Sequence, residues 1–278
     1  MPELPEVETV RRGLARSVVG KRIEEVTIFD PSLVKGLSAG AFVRGLERRS
    51  IAEVSRRGKY LLFRLDSGKT WAVHLRMTGR MLFKKNDRPV REKATRAILK
   101  FGRDGLHPKG CSFLWFSDSR RFGEWHLVRK PEEIPGIAKL GPEPLEITRE
   151  EFVQRLKSRR GQIKPLLLDQ AFLGGLGNIY ACEALYRAGI NPKRKPCSIS
   201  FYNKIELYHN IQVILKEAIR AGGASVRSYR RSDGSKGWFA LRLKVYGREG
   251  SKCSRCCRTI RRIKLSGRGT YYCPGCQK

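Results

Sequence analysis

Hydrophobic and polar positions follow three successive patterns along the chain. From Val7 to Val18, apolar residues recur every three or four positions, which predicts a helix with one apolar face over residues 6–18. Short β-rich runs follow between about residues 22 and 128, and the polar sequence DSGK at residues 66–69 marks a hairpin between two of them. Strands are expected over residues 25–29, 60–65, 70–75, 97–101 and 112–116. This stretch predicts an antiparallel sandwich or barrel.

The second half of the chain carries helical patterns. Four prolines between residues 131 and 145 predict a linker, and Thr148 with Glu151 forms the capping-box pattern of a helix that reaches about residue 158. Further helices are expected over residues 162–172, 178–188 and 201–221. The sequence thus predicts an α+β fold with a β-rich domain over residues 1–130, a helical domain over 131–244 and a small module over 245–278.

The charge of the chain narrows the choice of partners. Lys and Arg total 58 against 26 Asp and Glu, a formal net charge of +32, and a folded protein this basic attracts polyanions, nucleic acid first. A ribosomal or membrane-surface protein can carry the same charge, so charge alone leaves these classes open. No run approaches the roughly 18 apolar residues of a membrane span, and the acidic, proline-broken start is no signal peptide. We expect a cytoplasmic protein with no membrane partner.

The spacing of the cysteines predicts a metal site. Five of the eight cysteines fall between residues 253 and 276, and this clustering favours metal binding in a reducing compartment over a disulfide framework. Two C-x-x-C pairs can clamp one tetrahedral zinc ion; they are Cys253, Cys256, Cys273 and Cys276. Cys257 is a competing ligand with a less usual spacing. Basic residues between the pairs suit contact with backbone phosphate, although a merely solvated hairpin would have the same composition.

The start of the chain offers a nucleophile. The small residue after Met1 permits removal of that methionine, which exposes the secondary amine of Pro2. An α-amino group titrates near pH 8, about two units below lysine, so more of it is unprotonated at neutral pH, and it can form a covalent iminium with a sugar carbon. Glu3 can serve as acid or base, and Glu6 can orient the pair. Because an N-terminal proline is common, this pattern alone does not establish catalysis.

Three further segments suit nucleic acid, and each also has a purely structural explanation. Glycines precede Asn178 at a predicted helix N-terminus, where backbone amides can hold a phosphate, but a plain turn between helices has the same glycines. The sequence DSRRFG at residues 118–123 places arginines beside an aromatic ring that suits insertion into a base stack; a salt-bridged sheet edge is equally consistent. His74 is either a functional group or a hydrogen-bonded strand histidine.

Together these segments resemble the formamidopyrimidine-DNA glycosylase family, relatives of endonuclease VIII. The matching motifs are PELPEVETV at 2–10, GKYL at 58–61, HLRMTG at 74–79, DSRRFG at 118–123, LGPEPL at 140–145, IKPLLLDQ at 163–170, GLGNIY at 175–180 and VYGR at 245–248. The resemblance implies an N-terminal β-sandwich capped by a helix, a helix–two-turn–helix domain and a C-terminal zinc-finger β-hairpin with one structural Zn²⁺. It also implies a bacterial, nucleoid-associated monomer that binds double-stranded DNA containing oxidised bases.

The resemblance further implies a bifunctional DNA glycosylase and abasic-site lyase of base excision repair. Such an enzyme excises 8-oxoguanine and formamidopyrimidines from a flipped-out nucleotide and cuts the strand by β,δ-elimination. In the implied catalytic group, Pro2 attacks the glycosidic carbon, Glu3 protonates the opening sugar ring, and Lys59 binds phosphate at the lesion. DNA binding is assigned by resemblance to seven residues: His74, Met77, Arg120, Phe122, Lys164, Asn178 and Arg268.

One segment departs from the family pattern. Residues 222–229 read GGASVRSY, where the purine-specific branch usually shows threonines and an acidic residue after the two glycines. They open the loop, residues 224–238, that is expected to cover the flipped base, so the departure affects lesion preference. Leu4 favours the formamidopyrimidine branch, because endonuclease VIII members more often carry glycine there. Two alternatives stay open: an oxidised-pyrimidine glycosylase of the endonuclease VIII type, and a catalytically inactive DNA-binding zinc protein, which the intact Pro2 and Glu3 disfavour.

Overall fold

The structure is a computed structural model that describes residues 1–85, 91–102, 111–157, 159–225 and 229–278. The chain divides into two compact units. The first is built from Met1–Ala138 and Gly222–Trp238, and the second from Lys139–Ala221 and Phe239–Lys278. The loop over residues 224–238 therefore folds with the N-terminal unit, whereas the sequence pattern grouped it with the helical domain. Residues 226–228 of that loop, and Ser158 at the end of a predicted helix, lie outside the described residues.

In its described residues, the N-terminal unit contains three α-helices and two antiparallel four-stranded sheets. The helices are α1 (Leu4–Val18), α2 (Ala39–Leu46) and α3 (Pro135–Ala138). The strands are β1 (Ile23–Ile28), β2 (Ile51–Arg57), β3 (Tyr60–Leu65), β4 (Thr70–His74), β5 (Arg80–Lys85), β6 (Thr95–Phe101), β7 (Ser112–Ser117) and β8 (Glu124–Val128). One sheet has the order β2-β3-β4-β8 and the other β1-β6-β7-β5, so the connections β4–β5 and β7–β8 each cross between the sheets.

The core of this unit joins both sheets to α1. Phe63 stacks on Trp71 with ring centroids 4.3 Å apart, and Trp125 contacts both Trp71 and Phe116 from the other sheet. The apolar face of α1 adds four residues to the same cluster: Val7, Val10, Leu14 and Val18. Burying one such aliphatic side chain is worth about 1.5–3 kcal/mol, so α1 is held to the sheets along its length and its N-terminus has a fixed position.

The described residues of the second unit form four α-helices and a C-terminal hairpin. The helices are α4 (Arg149–Lys157), α5 (Ile163–Leu168), α6 (Asn178–Arg187) and α7 (Phe201–Arg220), and the hairpin strands are β9 (Arg261–Leu265) and β10 (Arg268–Tyr272). The buried carboxylate of Glu183 in α6 accepts hydrogen bonds from the backbone amides of Lys244, Val245 and Tyr246 at 2.8–3.0 Å. This carboxylate anchors the segment that leads into the hairpin.

The predicted α+β fold is confirmed, with local differences. The stretch expected to be β-rich also contains α2, whose first turn is capped by Ser38 through a hydrogen bond from the amide of Ala41. The helix expected over residues 162–172 ends at Leu168, because the side chains of Asp169 and Gln170 bond to nearby backbone amides and stabilise a turn. Among the described residues, no helix has both the length and the apolar composition needed to cross a membrane.

Candidate active site and nucleic-acid interface

The start of α1 holds the predicted nucleophile beside two buried carboxylates. Pro2 is buried directly after the exposed Met1, and Glu3 and Glu6 are only 3% and 2% exposed. Glu3 is the N-cap of α1, and its backbone amide donates a 2.8 Å hydrogen bond to Glu6 Oε2. Glu6 therefore fixes the backbone immediately after Pro2.

The second oxygen of Glu6 reaches the start of the 224–238 loop. Glu6 Oε1 accepts a 2.7 Å hydrogen bond from the backbone amide of Ala224. Gly223 has a φ of +82°, and a Cβ there would lie 3.0 Å from Glu6 Oε1 and from the Tyr229 ring, so glycine permits this close approach. Burial, together with the nearby charge of Glu6, raises the pKa of the Tyr229 hydroxyl. One buried carboxylate thus joins α1 to the loop.

Lys59 and His74 lie at the same end of the β2-β3-β4-β8 sheet. Lys59 occupies the turn between β2 and β3, and His74 is the last residue of β4. Their side chains are 5% and 6% exposed. Arg56 connects this end of the sheet to α1, because it donates hydrogen bonds to the carbonyl of Gly58 at 2.9 Å and to Glu8 Oε2 at 3.4 Å. Arg56 therefore links the β2–β3 turn that contains Lys59 to α1.

His74 is held as a neutral hydrogen-bonding group. Its Nδ1 accepts a 2.9 Å hydrogen bond from the backbone amide of Arg76, which leaves the proton of the neutral ring on Nε2. Burial lowers the pKa of His74 to about 3, and the positive charges of Arg76 and Lys59 act in the same direction. At neutral pH the ring offers an uncharged N–H donor.

Two loops carry the side chains that were predicted to fill the space left in the duplex by the flipped nucleotide. The 75–79 loop joins β4 to β5 and carries Met77, and the 118–123 loop joins β7 to β8 and carries Arg120 and Phe122. Arg120 Nη1 lies 3.4 Å from Met77 Sδ, and its guanidinium lies 4.6 Å from the centre of the Phe122 ring. Phe122 is 48% exposed. The structure brings these three residues together in a cluster with an exposed aromatic ring.

The described part of the 224–238 loop also contacts the rest of the N-terminal unit through Ser232. Its ends pair through an isolated bridge between Ala224 and Trp238. Further along, the carbonyl of Ser232 accepts a 2.8 Å hydrogen bond from the amide of Phe83 in β5. The Ser232 side chain fills a notch at Gly13 of α1, where an added Cβ would overlap its hydroxyl. Glycine at position 13 leaves the space that the Ser232 side chain occupies.

In the second unit, polar side chains connect α5, α6 and β10. Asn178 is the first residue of α6; its Oδ1 accepts a 2.6 Å hydrogen bond from Lys164 Nζ, and its Nδ2 donates to the carbonyl of Gly269 at 2.9 Å. Lys164 Nζ also donates to Thr270 Oγ1 at 2.8 Å. Lys164 was predicted as a DNA-binding side chain, but it is 0% exposed. Because its ammonium is bonded to Asn178 and Thr270, Lys164 positions Asn178.

Arg268 is exposed next to the turn of the β9–β10 hairpin. The turn residues Ser266 and Gly267 have φ angles of 44° and 74°, the left-handed conformations that suit the twist of a two-residue hairpin turn. Three further basic residues of the hairpin are exposed: Arg261, Arg262 and Lys264. This hairpin therefore presents a basic surface suited to phosphate.

The four predicted cysteine ligands converge. Their Sγ atoms all lie within 4.8 Å of one another, with 3.4 Å between Cys256 and Cys273 and 3.8 Å between Cys253 and Cys276. Zn–S bonds of about 2.3 Å in a tetrahedron place the sulfur atoms about 3.8 Å apart, so this group can hold one zinc ion. The competing ligand considered above, Cys257, is exposed and is not part of the group.

Comparison with known proteins identifies the family. Residues 1–125 match the formamidopyrimidine-DNA glycosylase N-terminal domain, residues 140–230 its H2TH domain, and residues 250–278 the zinc finger found in FPG and IleRS. The chain belongs to the formamidopyrimidine-DNA glycosylase family. It is 45% identical over 284 residues to the formamidopyrimidine-DNA glycosylase of Desulfitobacterium hafniense, with 100% of both chains covered. The resemblance stated from the motifs, and with it the enzyme class, is confirmed.

Solved structures of formamidopyrimidine-DNA glycosylases share the fold. A mutant of the Lactococcus lactis FPG in complex with Fapy-dG containing DNA superimposes with a TM-score of 0.90 at 38% identity, covering 100% of both chains. MutM in complex with carbocyclic 8-oxo-G containing DNA gives a TM-score of 0.89 at 37% identity, again covering 100% of both chains.

Sequence reasoning missed several buried polar residues that shape the site. It gave no role to Asp118, although this residue lies inside the DSRRFG motif and is 1% exposed. Ser232 and Thr270 lie outside every matched motif, and only the fold shows what they contact. For Asp118, its place inside the DSRRFG motif was a signal in the sequence that could have found it.

Proposed function

We propose that this chain is a bifunctional DNA glycosylase and abasic-site lyase that removes 8-oxoguanine and formamidopyrimidines in base excision repair. The observation that carries the proposal is the buried start of α1. Pro2 directly precedes Glu3 there, and Glu6 fixes the Glu3 backbone by accepting a hydrogen bond from its amide. The related complexes with Fapy-dG and 8-oxo-G containing DNA support this choice of substrates. We expect the protein to act as a monomer on double-stranded DNA in the bacterial cytoplasm, at the nucleoid.

The proposed reaction begins after removal of Met1, which frees the secondary amine of Pro2. The amine attacks C1′ of the flipped nucleotide, and the bond from C1′ to the damaged base breaks, so that the base leaves with the electron pair and takes up a proton. Glu3 gives a proton to the ring oxygen O4′, the sugar ring opens, and an iminium joins Pro2 to C1′.

The iminium then leads to strand cleavage. It withdraws electrons from C2′, so a proton acceptor removes a C2′ proton and the 3′-phosphate leaves with its bonding electrons. A second proton loss, from C4′, expels the 5′-phosphate, and water hydrolyses the iminium to release the sugar fragment and regenerate the Pro2 amine. Glu3 is suited to shuttle these protons, because it lies directly beside Pro2.

Phosphate contacts hold the DNA in register in this proposal. Lys59 binds phosphate at the lesion as a cation, and His74 binds as a neutral donor through Nε2–H, consistent with its lowered pKa. Asn178 and Arg268 bind the phosphates that flank the flipped nucleotide. Lys164 acts through Asn178, whose side chain it orients by a 2.6 Å hydrogen bond.

Three side chains fill the space that the flipped nucleotide leaves. Met77, Arg120 and Phe122 form one cluster on two loops, and insertion of such a wedge offsets the cost of unstacking the duplex.

The zinc finger has a structural part in this proposal. A zinc ion bound by the four cysteines would hold the β9–β10 hairpin in its fold, because metal binding and folding are coupled in modules of this size. We propose three functional parts: a catalytic part over residues 1–130, a helix–two-turn–helix DNA-binding part over 131–244, with residues 224–238 covering the flipped base, and the zinc finger over 245–278.

End-labelled duplexes test the proposed function. Each duplex carries one 8-oxoguanine, formamidopyrimidine, thymine glycol or abasic site, and the products are resolved by length and end group. We expect cleavage at 8-oxoguanine opposite cytosine and at formamidopyrimidine, with phosphate left on both new ends. Glu3→Gln should bind these duplexes without excising the base. Faster cleavage at thymine glycol would favour the endonuclease VIII alternative, and binding by the wild-type protein without cleavage of any duplex would favour an inactive DNA-binding protein.

A further inference from the structure

The loops that carry Met77, Arg120 and Phe122 need a support beyond their own strands. The 75–79 loop and the 118–123 loop each cross from one sheet to the other. A hydrogen-bonded ladder fixes neighbouring strands, but it does not fix such crossing loops relative to each other. Some other interaction must therefore hold the three side chains in one arrangement.

Asp118 supplies this interaction. Its carboxylate is buried, with the residue 1% exposed. Asp118 Oδ2 accepts hydrogen bonds from the backbone amides of Phe122 at 2.9 Å and Gly123 at 2.7 Å. Asp118 Oδ1 accepts one from the amide of Arg120 at 3.2 Å and another from the hydroxyl of Thr78. Three donors thus come from its own loop and the fourth from the 75–79 loop, so the carboxylate joins the two loops.

Apolar and ionic contacts brace the same joint. A Cβ added at Gly79 or at Gly123 would overlap the Phe116 ring, so both loops close over that ring. Arg121 has a φ of 60°, which is unusual for a residue with a side chain, and it donates hydrogen bonds to both carboxylate oxygens of Asp30 at 2.7 and 2.9 Å. The packing of Gly123 on Phe116 and the hydrogen bonds from Arg121 to Asp30 therefore fix the loop backbone around Arg120 and Phe122.

We propose that Asp118 is a positioning residue that makes the 75–79 and 118–123 loops a single preformed wedge for opening the duplex. The inference rests on the proposed function and deepens it. Side chains that are already arranged lose little conformational freedom when they enter the base stack, whereas separately moving loops would have to be ordered at that moment. The wedge matters only where a stacked duplex has to be opened, and this condition gives the test.

Two substitutions break the connection between Asp118 and the 75–79 loop in different ways. Thr78→Val exchanges the hydroxyl for a methyl group of similar shape and separates the 75–79 loop from Asp118. It also removes the acceptor that Thr78 Oγ1 offers to the Arg120 amide at 3.2 Å, so Asp118→Asn is needed to isolate the part of the carboxylate. Asp118→Asn turns one acceptor oxygen into a donor that opposes backbone N–H groups. Thr78→Ser keeps the hydroxyl and serves as the rescue. Asp66→Asn is the matched control, because Asp66 also accepts a backbone amide, that of Ser50 at 2.9 Å, but it is exposed at the opposite end of β4.

The assay compares single-turnover cleavage of an 8-oxoguanine duplex with cleavage of a single strand that carries an abasic site. We expect Thr78→Val and Asp118→Asn to lose about tenfold or more on the duplex and less than about twofold on the single strand. Thr78→Ser and Asp66→Asn should stay within about twofold of the wild type on both. 2-Aminopurine opposite the lesion reports wedge insertion without cleavage, and its fluorescence rise should slow in the same two variants.

Equal losses of Thr78→Val on both substrates, or no loss on the duplex, would overturn the proposal. If Asp118→Asn fails to fold, Thr78→Val still decides whether the connection between the two loops matters, because it removes one hydroxyl and no charge. Failure of the proposed function gives a different result: the wild-type protein would not cleave the 8-oxoguanine duplex, and the 2-aminopurine signal would still show whether the two loops insert as one wedge.

Discussion

Replacing Glu6 by glutamine tests how one buried carboxylate supports the start of α1. Glu6 Oε2 accepts the amide of Glu3 at 2.8 Å, and Oε1 accepts the amide of Ala224 at 2.7 Å. Glutamine has the same shape but only one acceptor oxygen. Whichever way its amide is turned, one of the two buried N–H groups then faces an NH₂ group.

The size of the effect follows from that lost acceptor. An unsatisfied buried donor costs about 1–3 kcal/mol, which for a unit of roughly 150 residues lowers Tm by about 2–12 °C. Cleavage should also slow, because the Glu3 backbone that Glu6 holds directly follows the nucleophile Pro2 and its loss of support can displace both residues. A displacement on the order of 1 Å at a reacting group costs up to about 100-fold in rate, so we expect Glu6→Gln to cleave 8-oxoguanine duplexes at least about tenfold more slowly.

Thermal melting followed by circular dichroism and single-turnover cleavage measure the two effects. Glu24→Gln is the matched control: Glu24 is exposed and pairs with Lys100 at 3.6 Å, and substitutions at such surface positions usually change stability by less than about 0.5 kcal/mol. If Glu6→Gln melts and cleaves like the control, the two buried amides do not depend on the carboxylate and the reasoning is refuted.

Four further predictions concern single residues and the zinc site. Since burial lowers the pKa of His74 to about 3 from 6.5, the unfolded chain binds a proton in this range that the folded chain does not; stability should therefore fall as the pH drops from about 6.5 towards 3. Denaturant titrations should show a weaker fall in His74→Gln, and an identical fall would contradict the assignment. Arg268→Ala should reduce the slope of log Kd against log salt by about one unit, and zinc removal by a chelator should weaken DNA binding as well; an unchanged slope would argue against the phosphate contact. Gly13→Ala should lower the free energy of unfolding by up to about 2 kcal/mol, because overlap with Ser232 costs about 1–3 kcal/mol and alanine in a helix interior returns about 1 kcal/mol. Gly161→Ala, with no described atom within 4 Å of its Cβ, should cost less, and equal losses for the two variants in denaturant unfolding would contradict the overlap.

The sequence predicted those features of the fold that local patterns determine. The spacing of Val7, Val10, Leu14 and Val18 correctly predicted the buried face of α1, because residues three or four positions apart share one face of a helix. The four zinc ligands were readable for the same reason, since each C-x-x-C pair is local. α2 was missed because its eight residues include two glycines, although Ser38 offered a capping signal.

The remaining contacts depend on residues far apart in the chain. Lys164 was assigned to DNA binding by the resemblance, but Thr270, 106 positions away, accepts a hydrogen bond from its ammonium group. The hydrogen bond between Ala224 and Glu6 spans 218 positions. No local pattern encodes such pairs, because they follow from how strands and helices pack.

The central claim is that the Pro2 amine forms the covalent bond to the lesion sugar. The most direct measurement incubates the protein, with loss of Met1 checked by mass, with an 8-oxoguanine duplex and borohydride, which reduces the iminium to a stable bond. Peptide mass spectrometry then locates the DNA adduct. We predict a single adduct on Pro2. An adduct on Lys59, with Pro2→Gly fully active, would contradict the claim.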